Sequence, residues 1–337
     1  MNGSNITELV LLGFSCSRTA QLFIFTLVLA CYTTILLTNL LVMVTVWFEP
    51  QLFQSPMYFF LANLSLIDIC LGSVAAPKLL TNLLNNDHAI SNGGCMAQIF
   101  GVHLFGSAEM FLLTVMAYDR YMAICCPLRY TAIIDQQHYL GLLILCWIGA
   151  FIHSTFQMAV ITQLPLCGSN VLDNFLCDIP QLIKLACSDM YVAEILMLFN
   201  VSLIALPCFL SLLASYLTIL ATLYGHFGKS GRKVLATCSS HLTVVGLFYI
   251  PVVFVYLKPF STSQLDKMAS VFYMMVTPAL NPLIYTLRNQ EMKQALGKLK
   301  SKGKRFLLPQ RKNMWKFPFC MHTRTTVVHM TPKVHAF

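Results

Sequence analysis

The sequence predicts an all-α membrane protein, a bundle of seven membrane-spanning helices. Three observations carry this expectation. Only 10% of the side chains are charged, against about 25% in ordinary soluble domains. Seven stretches are each apolar over the roughly 20 residues a helix needs to cross a bilayer. Lysine and arginine gather on one side of the topology these stretches define.

The spans follow in order. Leu22–Phe48 runs 27 residues without a charge. Pro56–Pro77 carries only Asp68, and Ala97–Tyr118 only Glu109. Tyr139–Val160, Leu196–Tyr224, Val234–Leu257 and Met268–Leu287 carry none. A soluble core of this length would alternate with many more charges. With the N-terminus outside, 17 lysines and arginines fall on the inner side and five (Arg18, Lys78, Lys184, Lys258, Lys267) on the outer. The acceptor sequences Asn2-Gly-Ser and Asn5-Ile-Thr agree with an extracellular, glycosylated N-terminus. No cleavable signal peptide is expected, because the first residues lack a basic region. The first span then serves as the targeting signal.

The net charge of +9 belongs to the tail: twelve basic residues lie from Arg288 onward with Glu291 the only acid. Residues 1–287 hold 10 basic and 12 acidic side chains. That excludes a nucleic-acid-binding face on the folded part. Four cysteines, Cys95, Cys167, Cys177 and Cys187, fall on the outer side, where two disulfides are expected in one of three pairings. Three of them sit in the long connection Ile161–Ile195, which cross-linking would turn into a structured cover over the bundle.

Two acids stand in the middle of spans. A carboxylate there is costly unless it is paired, protonated or ion-bound. Asp68 and Glu109 therefore each call for a partner, a proton or an ion. They are not a catalytic pair, which would need an open cleft and a water path. No enzyme is expected and no cofactor beyond an allosteric Na⁺.

Five segments narrow the reading: "SPMYFFLANLSLIDIC" (Ser55–Cys70), "MAYDRYMAICCPLRY" (Met116–Tyr130), "SYLTI" (Ser215–Ile219), "KVLATCSSHLTVV" (Lys233–Val245) and "PALNPLIYTLRN" (Pro278–Asn289). In this order and on these spans they resemble the olfactory receptor family of rhodopsin-like G-protein-coupled receptors. The resemblance covers about residues 5–299. It departs from the family at "TNLLV", which lacks the glycine before Asn39, at Cys126 before Pro127, in the loop "YGHFGKSGRK", and in the long tail.

The resemblance implies a seven-transmembrane receptor in the plasma membrane. Its activation switch would be Asp119, Arg120 and Tyr121 at the inner end of the third span, with Asn281, Pro282 and Tyr285 on the seventh. The disulfides would be Cys95–Cys177 and Cys167–Cys187. Glu109 would face Asp68 across a buried polar site that shares a proton or holds Na⁺, with Asn39, Ser65 and Asn281 adding polar groups. Candidate ligand contacts are Val102, His103, Gly106 and Ser107 on the third span, Tyr249 and Tyr256 seven residues apart on one face of the sixth, and Phe272 and Met275 on the seventh. The absence of an acid at Val102 argues against amine ligands, and the absence of a lysine at Met275 against retinal. The implied partners are a small volatile odorant, a heterotrimeric G protein of the stimulatory olfactory type that raises cyclic AMP, and membrane lipid.

The expected organisation is an extracellular N-terminus (1–21), a receptor domain (22–287), a short cytoplasmic amphipathic helix (288–299) and a basic cytoplasmic tail without order (300–337). Residues 300–337 hold nine basic residues and no acid. They read either as a membrane-surface segment or as an alternative C-terminus. A transporter would need a polar path and paired repeats, and no internal repeat is present. A receptor-like protein without signalling is the other competing class.

Overall fold

The computed structural model describes residues 8–13, 17–85, 87–165, 169–187, 190–224, 229–256 and 264–307. Strand β1 (Glu8–Leu11) precedes α1 (Arg18–Phe48), whose N-cap Ser17 accepts a hydrogen bond from the Ala20 amide. The short α2 (Pro50–Phe53) turns the chain into α3 (Pro56–Asn85), which contains Pro77. Strand β2 (Ala89–Ser91) leads into α4 (Asn92–Cys125), again capped by a serine, Ser91, on the Gly94 amide. Next come α5 (Pro127–Ile133) and α6 (Gln136–Ile161), the latter capped by Asp135 on the His138 amide. Such side-chain caps satisfy amide donors that the helix itself leaves open. Strand β3 (Val171–Leu172) and α7 (Ile179–Lys184) precede α8 (Met190–Tyr224) and α9 (Lys229–Tyr256). The chain continues through α10 (Gln264–Val271), a π-helical turn (Phe272–Val276), α11 (Thr277–Arg288) and α12 (Gln290–Leu307).

Seven helical segments among the described residues are long and apolar enough to cross a membrane: α1, α3, α4, α6, the Ser202–Leu223 part of α8, the Cys238–Val255 part of α9, and Leu265–Thr286 through the π turn. The chain is a multi-pass, all-α membrane protein. Its burial pattern agrees with that solvent. Asn39, Asp68, Glu109, His153 and Asn281 are buried, whereas Phe23, Leu37, Trp47, Ile152 and Leu203 are more than half exposed. In water that pattern would be unstable. In hydrocarbon it puts polar groups on each other and apolar groups on lipid.

α4 is the central post, packed against α3, α6 and α8. Gly101 permits its approach to α3: an added Cβ would come within 2.7 Å of Val74 Cγ2. α1 packs on α3 and α11.

Two differences from the sequence reading stand out. A three-stranded sheet in the order β2-β1-β3 crosses one end of the bundle, antiparallel between β1 and β2 and parallel between β1 and β3. The N-terminal segment is thus part of the folded cap. At the other terminus, α12 runs to Leu307, eight residues past the expected end. "SKGKRFL" contains no proline to stop the helix, its Lys, Arg and Leu are good helix formers, and the first proline beyond it is Pro309.

Candidate functional site

The polar axis of the bundle lies where α3, α4 and α11 meet. Asp68, Glu109 and Asn281 are each no more than 1% exposed. Asn281 Nδ2 donates to Asp68 Oδ1 (3.0 Å) and Oδ2 (3.3 Å) and reaches Glu109 Oε1 at 3.5 Å. One amide therefore bridges both acids. Asn39 Nδ2 donates to the Ile35 and Pro278 carbonyls, both at 3.0 Å, tying α1 to the start of α11. Ser65, one turn before Asp68, is buried. Glu109 Oε2, Asn39 Oδ1 and Asn281 Oδ1 are buried oxygens with no hydrogen bond among the described residues. Acceptor oxygens left open beside carboxyl groups fit a hard cation or a shared proton. No cluster of three or more His, Cys, Asp or Glu side chains suited to a metal ion occurs among the described residues.

Toward one end of α4 lie Asp119, Arg120 and Tyr121. Asp119 is buried and holds Arg120 at 3.5 Å, while the Tyr130 hydroxyl on α5 donates to its Oδ1 at 3.0 Å. Tyr130 stands outside the spans, and its own burial and the neighbouring Asp119 both raise its pKa. Around this end, the Tyr216 hydroxyl of α8 bonds His241 of α9, and Tyr58 of α3 donates to Glu291 of α12 at 2.8 Å. Tyr285 is buried, and its hydroxyl makes no hydrogen bond among the described residues. Pro282 lies inside α11. It removes one backbone donor there and loosens the turn between Asn281 and Tyr285.

Toward the other end of α4 is a small cavity of 50 Å³ lined by Val102, His103, Gly106 and Ser107 together with residues of α6, α8, α9 and the π turn. The four candidates on α4 thus share one wall. Tyr249, Phe272 and Met275 do not line it. Tyr249 turns its ring toward Phe209 (5.6 Å), leaving its neighbour Phe248 to face the cavity. Met275 is buried against α1, where its carbonyl accepts from Cys31 Sγ. The π turn adds a residue to the helix register, so Tyr273 faces the cavity in place of Phe272. The Tyr256 side chain lies outside the described residues, as do Asn2, Asn5 and Cys167.

Sequence reading missed His153 and Gln157 on α6. Ser107 Oγ lies 2.7 Å from His153 Nδ1, and Gln157 Nε2 lies 3.3 Å from His153 Nε2. Their spacing of four residues puts both on one helix face, which was a usable signal in an otherwise apolar span.

The Cys95 end is covered. Cys95 and Cys177 form a disulfide, and Cys187 is also disulfide-bonded. Phe175 and Leu176, both 1% exposed, pack down into the bundle core. Lys267 of α10 reaches Asp173 Oδ1 at 2.6 Å and donates to the Gly13 carbonyl at 3.1 Å, joining the cover, the N-terminal segment and the seventh span. Gly13 has φ +63, a conformation that costs a side-chain-bearing residue. Asp178 caps α7 through the Ile179 amide. Burial pushes its carboxyl up to about 6, against a smaller lowering by that amide.

Comparison with known proteins assigns this arrangement to one group. A family model described as "Olfactory receptor" matches residues 28–302. Olfactory receptor 4Q3 of Homo sapiens is 55% identical over 299 residues, covering 89% of this chain and 96% of the relative. Olfactory receptor 4K14 of Homo sapiens is 48% identical, with 89% and 97% covered. Olfactory receptor 4E2 of Mus musculus is 46% identical, with 90% and 98% covered.

Proposed function

We propose, from the premise that this chain belongs to the olfactory receptor family of rhodopsin-like G-protein-coupled receptors, that it binds a small volatile odorant inside the helical bundle and activates a stimulatory, olfactory-type G protein to raise cyclic AMP. As a member of a receptor family it is not an enzyme. The proposed orientation puts the Cys95 end and a glycosylated N-terminus (Asn2, Asn5) outside the cell, and Arg120 and α12 in the cytoplasm. The proposed location is the plasma membrane.

The observation that carries this reading is the layout of α4. One helix holds the cavity wall at Val102–Ser107, the buried acid Glu109 in the middle, and the Asp119–Arg120 pair at its other end. A ligand that binds one packing of the bundle better than another shifts the balance between them. Asp119 restrains Arg120 in the observed packing. Release of Arg120 toward a cleft opened beside Tyr216, His241 and Tyr285 would present it to the G protein. Asn281, Pro282 and Tyr285 would transmit the change through α11. Asp68, Glu109, Asn39, Asn281 and Ser65 would hold Na⁺ when it binds, and the ion would neutralise paired carboxylates in the resting packing. Cys167 is proposed as the partner of Cys187.

The test is cyclic AMP in cells expressing the chain with an olfactory G protein, exposed to a panel of volatiles. A dose-dependent rise is expected. Arg120→Ala should abolish it at an unchanged surface level, because the restraint and the contact both reside in that side chain. A response that survives in Arg120→Ala would remove the switch from the proposal.

A further inference from the structure

A second space lies beside α4, outside the inner cavity. A groove of 510 Å³ runs along α6 and α8, floored by Phe111 and Gly149. Its rim is formed by Ile152, Phe156, Phe199 and Leu203, each 55–65% exposed. The same helix faces carry exposed Leu145, Ile148 and Leu206, so the groove opens onto hydrocarbon. Gly149 keeps the floor low: an added Cβ would meet Phe111 Cε2 at 3.2 Å. His153 and Gln157 are the polar side chains in the lining.

The groove and the inner cavity share a wall. His153 and Ile204 line both. The inner cavity, at 50 Å³, is small beside the engineered cavity of about 150 Å³ that accepts benzene. A volatile of ten heavy atoms needs side chains to move. At the Cys95 end, Phe175 and Leu176 are buried in the bundle core next to the Cys95–Cys177 disulfide. On the lipid side, His153 and Ile204 form the wall shared by groove and cavity among the described residues. Apolar volatiles also concentrate in the bilayer by the same transfer energetics that bury apolar side chains.

We infer that the groove between α6 and α8 is the vestibule through which an apolar ligand bearing one hydrogen-bonding group passes from the bilayer to the inner cavity. The ligand's polar atom is met in sequence by Gln157, His153 and Ser107, which already form one hydrogen-bonded row. Ile204 is the apolar half of the wall it displaces. The identity of the ligand class rests on the receptor reading above; the route does not.

The experiment therefore avoids signalling as its readout. The full chain in neutral phosphatidylcholine nanodiscs is photolabelled with trifluoromethyl-diazirinyl benzyl alcohol and mapped by peptide mass spectrometry. Labelling is expected on 149–157 and on 102–110, and excess benzyl alcohol should compete for both. Ile152→Trp and Leu203→Trp, each filling the groove from its lipid side, should lose the label on 102–110. Leu37→Trp, on the exposed face of α1, should keep it. Label retained on 102–110 with the groove filled, or no saturable label on either segment, overturns the inference. A chain that labels as expected but raises no cyclic AMP would sink the receptor reading and leave the vestibule standing.

Discussion

The two ends of the bundle are closed by different chemistry. The Cys95 end is joined covalently and by backbone ladders: a disulfide spanning 82 residues, three strands from distant parts of the chain, and the buried Lys267. The Arg120 end is held by side-chain hydrogen bonds, Tyr130 on Asp119, Tyr58 on Glu291 and Tyr216 on His241, and by the Arg120–Asp119 ion pair. Each such bond contributes about 1 kcal/mol net, so a few can exchange together within the energy a ligand supplies. A disulfide cannot. One end keeps its shape while the other can change, which is the asymmetry a signalling bundle needs.

Breaking the covalent closure should have the largest effect. Closing a loop of this length restricts the unfolded chain by about 4 kcal/mol. Cys95→Ala with Cys177→Ala should therefore lower the melting temperature and the surface level together. Thermal unfolding in nanodiscs, with Arg120→Ala as the control at the opposite end, checks this. Equal losses in both variants would contradict the asymmetry.

The ion pair of the cover gives a finer test. Lys267 is 5% exposed at its side chain and Asp173 43%, so the two partners are not equivalent. Among the described residues, Asp173→Ala leaves the buried ammonium with only the Gly13 carbonyl for a partner. Lys267→Met removes the buried charge and fills the space with apolar atoms. Asp173→Ala should cost about 2 kcal/mol and Lys267→Met distinctly less. Parallel melting curves read the order, and the reverse order would mean that the lysine is solvated.

The middle of the bundle separates the two ends, and its acids can be probed by ion exchange. If Asp68 and Glu109 share Na⁺, replacing choline by Na⁺ should stabilise the protein by about 1.4 kcal/mol at tenfold excess over the dissociation constant. Asp68→Asn should abolish the shift. Identical melting in both salts would favour a shared proton.

The spans were legible because hydrocarbon leaves a chain few choices. An apolar run without charges must become a helix whose backbone satisfies itself. The acids and Arg120 were legible for the converse reason, since a charge in such a run demands a partner. What could not be read was whatever depends on distant segments meeting. Glu8–Leu11, Ala89–Ser91 and Val171–Leu172 are two to four residues each, too short for alternation to register, and they exist only because the disulfide and the helices bring them together. The π turn is equally silent in sequence, yet it decides that Tyr273 and not Phe272 faces the cavity. His153 and Gln157 lay in plain view, and their spacing of four residues put them on one helix face, but that spacing does not say whether the face meets the bundle or the lipid.

The smallest expected effect lies in the cover itself. Asp178 is buried beside the disulfide cysteine Cys177 and caps α7. Burial raises its pKa from 3.8 to about 6. The folded protein then binds the proton more tightly than the unfolded chain. Between the two pKa values the folded state holds one proton that the unfolded state has lost, so stability falls as pH rises through that window and gains on acidification. From pH 7 to pH 5 the gain is about 1.3 kcal/mol. Asp178→Asn, which keeps an oxygen to accept from the Ile179 amide but carries no charge, should flatten this dependence. Hydrogen exchange of 175–185 at the two pH values reads it locally. Slower exchange at pH 5 in the wild type, after correction for intrinsic rates, and no such change in Asp178→Asn, would place the titration in the cover. A cover insensitive to pH in both proteins would mean that Asp178 stays ionised and finds a charge or water partner when the loop breathes. The closed end would then be softer than its disulfide implies.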